Sequence, residues 1–359
     1  MDAAEPSASE QMDPGTDTGT ALSEAAAGQI VDRWTARNPA VILALLLVGT
    51  PVYTRLPVEA GVVVFALGTV TTGMAHGAVD HLVPLRAASV PLDRSLSVVT
   101  AVYAVLGAMV VVGWWVAPAV AFVTFVLLTW LHWGQGDVFA LRLGGAAHLQ
   151  SRAERALTVL VRGGLPMAVP LVSFPGEFRL VAEATVGLFG VGSAALDPIF
   201  ASSTRTAVVT GMAAATLVTL SAGLWRVSRG APRSGLDRDA AELAVLWLWF
   251  WFVPPVLAIG VYFALWHAPR HIGRLMLVDT ESTAALSAGD ARTAIHRFLR
   301  DAAPLTLGGY LVVIAVGLAV PAGVVTPLDL LGVALVGIAA LTLPHVAIVG
   351  WLDRKQGIW

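Results

Sequence analysis

Residues 60–82 read AGVVVFALGTVTTGMAHGAVDHL. A helix rises about 1.5 Å per residue, so this apolar segment is long enough to cross the roughly 30 Å hydrocarbon core of a bilayer. Its C-terminal end carries His76, Asp80 and His81, groups that are costly to place in lipid. The segment reads as a membrane helix with a candidate site at one end.

Working outward, further apolar runs fall at 40–54, 96–117, 119–137, 157–175, 180–198, 205–225, 241–266, 303–321 and 328–351. Run 180–198 carries Glu183 with several Gly and Pro residues, and reads as a crossing or as a re-entrant segment. In lipid every backbone amide must bond internally, and no period-two alternation suggests a barrel, so the spans are helices. The chain is 57% hydrophobic and 13% charged, with mean hydropathy +0.76. Soluble domains carry about 25% charged residues. This balance excludes an ordinary soluble enzyme, a disordered protein and a nucleic-acid binder. The expected fold is all-α, a polytopic transmembrane bundle of about 8–10 segments, with residues 36–359 forming one membrane domain. Residues 1–30 hold six acids and no base, and the segment 1–35 reads as a disordered acidic tail rather than a signal peptide.

Cysteine is absent, which removes thiolate metal sites and Cys nucleophiles. The only lysine is Lys355, close to the C-terminus, so a buried Schiff-base lysine is excluded. Arginines cluster at 86–94, 142–155, 226–238 and 270–300. The positive-inside rule does not bring all four clusters to one side under this set of runs. If 180–198 crosses, the 226–238 cluster stands apart; if it does not, the 270–300 cluster does. Residues 281–300 could form an amphipathic surface helix.

Histidines recur at the ends of the runs, in TTGMAHGAVDHLVP, LLTWLHWGQGDVF, YFALWHAPRHIGR and LTLPHVAIVGWLD. His267 and His271 are four apart, on one helical face, although Pro269 between them should bend or end the helix. Gly73 and Gly77 would let another helix approach the His76 face. His148 and His296 lie in polar connections and read as solvated. Imidazole suits Fe, Zn, Cu and Ni, so four separated His stretches point to a shared metal site. Ligands of one metal must lie at one membrane depth. That requires 180–198 to cross, or some other change of parity before His267.

These stretches resemble the Brp/Blh family of membrane β-carotene 15,15′-dioxygenases of haloarchaea and retinal-making bacteria. HGAVDH is similar to its HGxxD motif, LHWGQGD to its second His motif, WHAPRH to WHxxRH, and LTLPHVAIV to its LPH motif. The resemblance spans roughly residues 40–350. It implies an oxygenase of the cell membrane that cleaves the central double bond of β-carotene with O2 to two retinals. The implied cofactor is Fe(2+), held by His76, His132, His267 and His271. His345, His81, Asp80 and Asp137 are implied as supporting residues or further ligands. Asp80 and Asp137 would orient His76 and His132, or pair with an arginine such as Arg270. Trp130, Trp133, Trp266 and Tyr262 are candidate walls of an apolar substrate tunnel. An opsin receiving the retinal is a candidate partner.

Two rivals come from other classes. A di-iron desaturase or hydroxylase would use HxxxxH boxes, which HGAVDH matches, but also adjacent His pairs, and the chain has none. A carotenoid carrier or transporter would need no metal; transporters often show internal repeats, and none is evident.

Overall fold

The computed structural model describes residues 24–359, all of it helix and connecting turns among the described residues. Eight helices are long and apolar enough to cross a membrane: α1 (Glu24–Tyr53), α2 (Val58–Ala88), α3 (Leu92–Val116), α4 (Pro118–Leu143), α5 (Arg152–Ser173), α7 (Ser202–Ser228), α11 (Ala291–Ala319) and α12 (Pro327–Lys355). Between them lie α6 (Pro175–Gly187), α8 (Arg233–Phe252), α9 (255–278) and the short α10 (Thr280–Ser287). Residues 1–23 of the acidic tail lie outside the described residues. From Glu24 onward the segment assigned to the tail is helical, with Ala27 and Val31 buried and Asp32 bonded to Arg238 at 2.7 Å.

Local sequence signals explain the ends of these helices. Ser151 and Glu154 cap α5 reciprocally, as Thr326 and Asp329 cap α12. Glycines set the closest crossing. A Cβ on Gly163 would come within 1.9 Å of the Trp130 carbonyl, and one on Gly134 within 2.4 Å of the Val159 carbonyl, so α4 and α5 meet backbone to backbone.

Two apolar runs do not become spans as read. Run 180–198 forms no single helix: α6 stops at Gly187 and the chain turns through Gly190 at φ +75°. Arg179 pairs with Glu183 and Asp197, and the segment stays at the end of the bundle away from the histidines. Run 241–266 breaks in two at Val253, because Pro254 and Pro255 supply no amide to continue a helix. Helices α8 and α9 form an antiparallel hairpin: the Trp249 indole donates to Ala258 at its turn (3.1 Å), and Glu242 meets Arg270 (3.1 Å) nearer its other end. The required change of parity comes from this hairpin, not from 180–198.

The hairpin also corrects the charge reading. All four arginine clusters fall at the same end of the bundle as the histidines, and of the basic residues only Arg55, Arg179 and Arg205 lie at the other end. Residues 281–300 do not form one surface helix. Gly289 at φ +80° separates α10 from α11, and Asp290 caps α11. His296 is exposed as read, but His148 is buried, with Nε2 at 3.0 Å from Asp239.

A buried charge network ties this end together. Arg162 of α5 bonds Asp137 (2.9 Å), Asp239 (2.9 Å) and Glu242 (3.0 Å). Arg270 of α9 bonds Asp137 (2.7 Å) and Glu242 (3.1 Å) and lies over the Trp266 ring at 3.9 Å. Four helices, α4, α5, α8 and α9, are thereby held in one register.

Two predictions follow from this architecture. The positive-inside rule assigns the arginine-rich end to the cytoplasm. In the cysteine-free chain, Ser234→Cys or Ala288→Cys should react with a membrane-impermeant maleimide only after permeabilisation, whereas Val325→Cys should react in intact cells; the reverse pattern refutes the orientation. Arg162→Met removes the guanidinium that Asp137, Asp239 and Glu242 share and should cost about 3–5 kcal/mol, lowering the melting temperature in detergent by about 10 °C. Arg233→Met removes an exposed pair with Asp237 and should leave melting nearly unchanged.

Candidate metal centre

Five imidazoles from four helices converge. Ring centroids of His76 (α2), His132 (α4) and His345 (α12) lie 6.0, 5.0 and 4.7 Å apart pairwise. From α9, His267 is 4.8 Å from His132, and His271 is 4.8 Å from His345. Ring nitrogens of His76, His132 and His345 all fall within 4.8 Å of one another, as do ligand atoms of Asp80, His271 and His345.

Irregular helical turns deliver two of these rings. Helix α2 widens to a π-turn over Thr69–Gly73 and tightens to 3-10 turns at Ala75–Gly77 and Asp80–Leu82. Helix α9 has a π-turn over Phe263–His267. Such turns recur at functional sites. The second one also absorbs Pro269. The amide of Ala268 reaches back to Phe263; the next amide, due at Ala264, is the one proline lacks, and the Thr72 hydroxyl donates to the Ala264 carbonyl instead (3.3 Å). The helix therefore runs on to Val278 rather than ending. Gly73 and Gly77 serve as read: a Cβ on Gly73 would strike the Phe263 ring, and one on Gly77 would meet the His345 ring at 3.1 Å.

Hydrogen bonds fix the tautomers. The His76 Nδ1–H donates to the Gly73 carbonyl, which directs the Nε2 lone pair away from that bond. The His345 Nδ1–H donates to Asp80 Oδ2 (2.7 Å), which also accepts from the Tyr103 hydroxyl (2.6 Å). His345 Nε2 is buried with no partner, as are Asp80 Oδ1, His132 Nδ1 and both nitrogens of His271. His132 Nε2 and His267 Nε2 face each other at 3.1 Å. Buried polar atoms are normally paired. This many orphaned imidazole lone pairs in one place is what a cation-binding site leaves when described without its ion, and the donors suit a divalent transition metal.

The supporting residues fall differently from the sequence expectation. Asp80 orients His345 rather than His76, because the 3-10 turns of α2 break the regular one-face relation of 76 and 80. Asp137 turns away from His132 to Arg162, Arg270 and the Trp266 indole (3.0 Å), the arginine alternative. His81 stands beside the cluster, half-buried, with Nδ1 unpaired. Tyr103, Arg162 and Glu242 were not singled out from sequence. A lone arginine in run 157–175 and a glutamate opening run 241–266 were the available signals.

The cluster borders a cavity of about 450 Å³, onto which His76, His132 and His345 open, with His267 and His271 behind them. Among the described residues no charged side chain lines it. Its lining residues lead away from the cluster in two directions, here called arms. One descends between α4, α9 and α12 past Phe125, Phe263 and Ile338 to Phe122, Val256 and Leu331. The other runs outward between α3 and α11 past Tyr103, Gly309 and Gly308 to Leu96 and Leu305. Trp133 lines the cavity. The other three tunnel candidates sit outside its wall: Trp130 donates to Leu160 of α5 (2.7 Å), Trp266 is committed to Asp137, and Tyr262 packs between Trp266 and Phe250.

Comparison with known proteins agrees with this layout. The profile of the family described as Beta-carotene 15,15'-dioxygenase matches residues 67–353, an interval that contains all five histidines. The chain is 42% identical over 329 residues to the probable beta-carotene 15,15'-dioxygenase Blh of Halobacterium salinarum, covering 90% of this chain and 92% of that one. It is 30% identical over 335 residues to the probable beta-carotene 15,15'-dioxygenase Brp of the same organism, covering 89% and 90%. No solved structure gives a significant match. A profile spanning most of the chain, and relatives matched nearly end to end, place this chain in the beta-carotene 15,15'-dioxygenase family.

Proposed function

We propose that this chain is a multi-pass enzyme of the cell membrane that cleaves the central 15,15′ double bond of β-carotene with O2 to give two molecules of retinal. One C=C bond and the O–O bond break, and two C=O bonds form. The observation that carries this reading is the placement of the imidazole cluster on the wall of an uncharged, apolar cavity inside a membrane bundle.

The donors proposed to hold Fe(2+) are His76, His132, His267 and His271, with His345 added. His345 has its Nδ1–H fixed by a carboxylate and its Nε2 buried and free, the arrangement usual for a metal-ligating histidine. When bound, the iron supplies activation of O2. The protein supplies the rest. Asp80, held by Tyr103, keeps the proton on His345 Nδ1 so that Nε2 stays a neutral donor. Pairing Asp137 and Glu242 with two arginines keeps these two carboxylates off the histidines, leaving Asp80 as the carboxylate at the cluster. The hydrocarbon wall excludes water and holds a polyene by its shape, since a substrate already dissolved in lipid gains little from apolar burial alone. A recipient opsin belongs to the same reading as a downstream partner.

Coexpression with a β-carotene pathway should bleach the pigment and yield retinal by chromatography, and the purified chain should carry a single iron. Two irons would favour a di-iron enzyme, and none a carotenoid carrier. His76→Ala, His132→Ala, His267→Ala, His271→Ala and His345→Ala should each abolish retinal formation, and any variant that keeps full activity removes its residue from the donor set. Asp80→Asn should weaken iron retention about 10–100-fold without unfolding the chain; unchanged retention refutes its positioning role.

A further inference from the structure

We infer that the two arms of the cavity do different jobs: the polyene enters end-first from the bilayer between α3 and α11, and the closed arm measures how far it goes. This rests on the proposed reading of the cavity as the polyene site.

The arms differ in closure. The inner arm ends on Phe122, Val256 and Leu331, each no more than 5% exposed. Leu331 and His345 lie on one helix and are separated by about 21 Å of rise. The outer arm is shorter, about 10 Å along α3 from Tyr103 to Leu96, and its mouth is not closed. Leu96 is 41% exposed and Leu305 44%. Helices α3 and α11 both pack on α12 and share no extended contact with each other. With no extended contact between these helices and a partly exposed lining leucine on each, we read the entry as lying between them, below the rim on which Arg86 pairs with Asp279 and Asp301.

Glycines keep the passage clear. Gly308 lies on the cavity wall, and a Cβ built there meets nothing within 4 Å. A larger side chain at 308 can therefore project into the passage without displacing a neighbour. Gly309 beside it admits Met74 of α2.

One consequence concerns selectivity. A symmetric hydrocarbon offers no polar handle, so the bond presented to the histidines is set by the distance from the buried end to the cluster. The outer half lies partly in lipid and is not measured. A β-carotene derivative with one intact cyclic end and a shortened, aldehyde-terminated other end should therefore still be cut at the 15,15′ bond, releasing one retinal and a shorter dialdehyde. A shortened inner arm should hold the molecule further out. The cut then moves toward the buried end, giving one carbonyl product shorter than retinal and one longer, with O2 consumed and the double bond broken as before.

The test uses purified, iron-loaded protein in detergent or nanodiscs, with β-carotene and O2, and products resolved by chromatography. Val181→Phe and Leu335→Phe narrow the inner arm from two helices, α6 and α12. Each should lower the retinal fraction at least tenfold and replace it with the unequal pair, at unchanged iron content. Gly308→Phe should give retinal alone, with KM for β-carotene raised at least fivefold. Loss of retinal without the unequal products, or retention of retinal by both inner-arm variants, overturns the measuring role. An unchanged KM in Gly308→Phe overturns the entry route. Absence of retinal from the unaltered protein refutes the proposed function instead, so the two failures are distinguishable.

Discussion

Five imidazoles from four helices can meet only if those helices bring them to one depth of the bundle, and this constraint decides where the chain turns. His76, His132 and His345 each stand toward the C-terminal end of a helix running in the same sense. His267 and His271 join them only because α8 and α9 fold back on each other at Val253. Two adjacent prolines at the turn make that reversal local and abrupt. The same reversal gathers the arginine clusters at one end, so a single topological event satisfies both the convergence of imidazoles and the asymmetry of charge that orients membrane proteins.

The histidine-rich end buries several charged side chains, which are costly inside a membrane bundle, and their arrangement is what makes that tolerable. Asp137, Asp239 and Glu242 share Arg162 and Arg270, with His148 on Asp239. Each carboxylate thus keeps a cationic or hydrogen-bonding partner, where an isolated one would be costly to bury. Asp80 is the exception in kind: its partners are a tyrosine and a histidine, and one of its oxygens stays free beside His271. The network therefore stabilises the scaffold, while Asp80 acts on the cluster itself. Arg270, placed between His267 and His271 in sequence, links the two, because the helical turn that presents the histidines also presents the arginine to Asp137.

Much of this was legible in the sequence. Apolarity over the length of a bilayer crossing gave the spans, and four histidine stretches at their ends gave the cluster, including the small-residue faces at Gly73 and Gly77. What was not legible was direction. Hydropathy counts apolar residues without saying where a chain reverses, so 241–266 read as one span and 180–198 as a doubtful one. Proximity in sequence also misled for the aromatics. Trp130 precedes His132 by about 200° of helical rotation and so faces α5, whereas Trp133 shares the cavity side with His132, Thr129 and Phe122. Tyr262 and Trp266, four apart, look together toward Phe250 and Asp137, while Pro255, Ile259 and Phe263 take the cavity face. His148 read as solvated because its connection is polar; its partner Asp239 lies some ninety residues away, on α8.

The wall of the cavity bears on why a bundle, rather than a soluble scaffold, carries this site. A hydrophobic ligand already dissolved in lipid gains little from leaving one apolar medium for another, so affinity alone cannot select it, and shape must do so. Close-packed interiors resist deformation, which lets residues such as Phe122, Val256 and Leu331 form a firm stop at the end of the inner arm. The outer mouth needs the opposite property, and there the wall is made of glycine, threonine and partly exposed leucine on two helices that do not brace each other. On the proposed reading, rigidity is concentrated where a length has to be read, and openness where a long, stiff molecule has to pass.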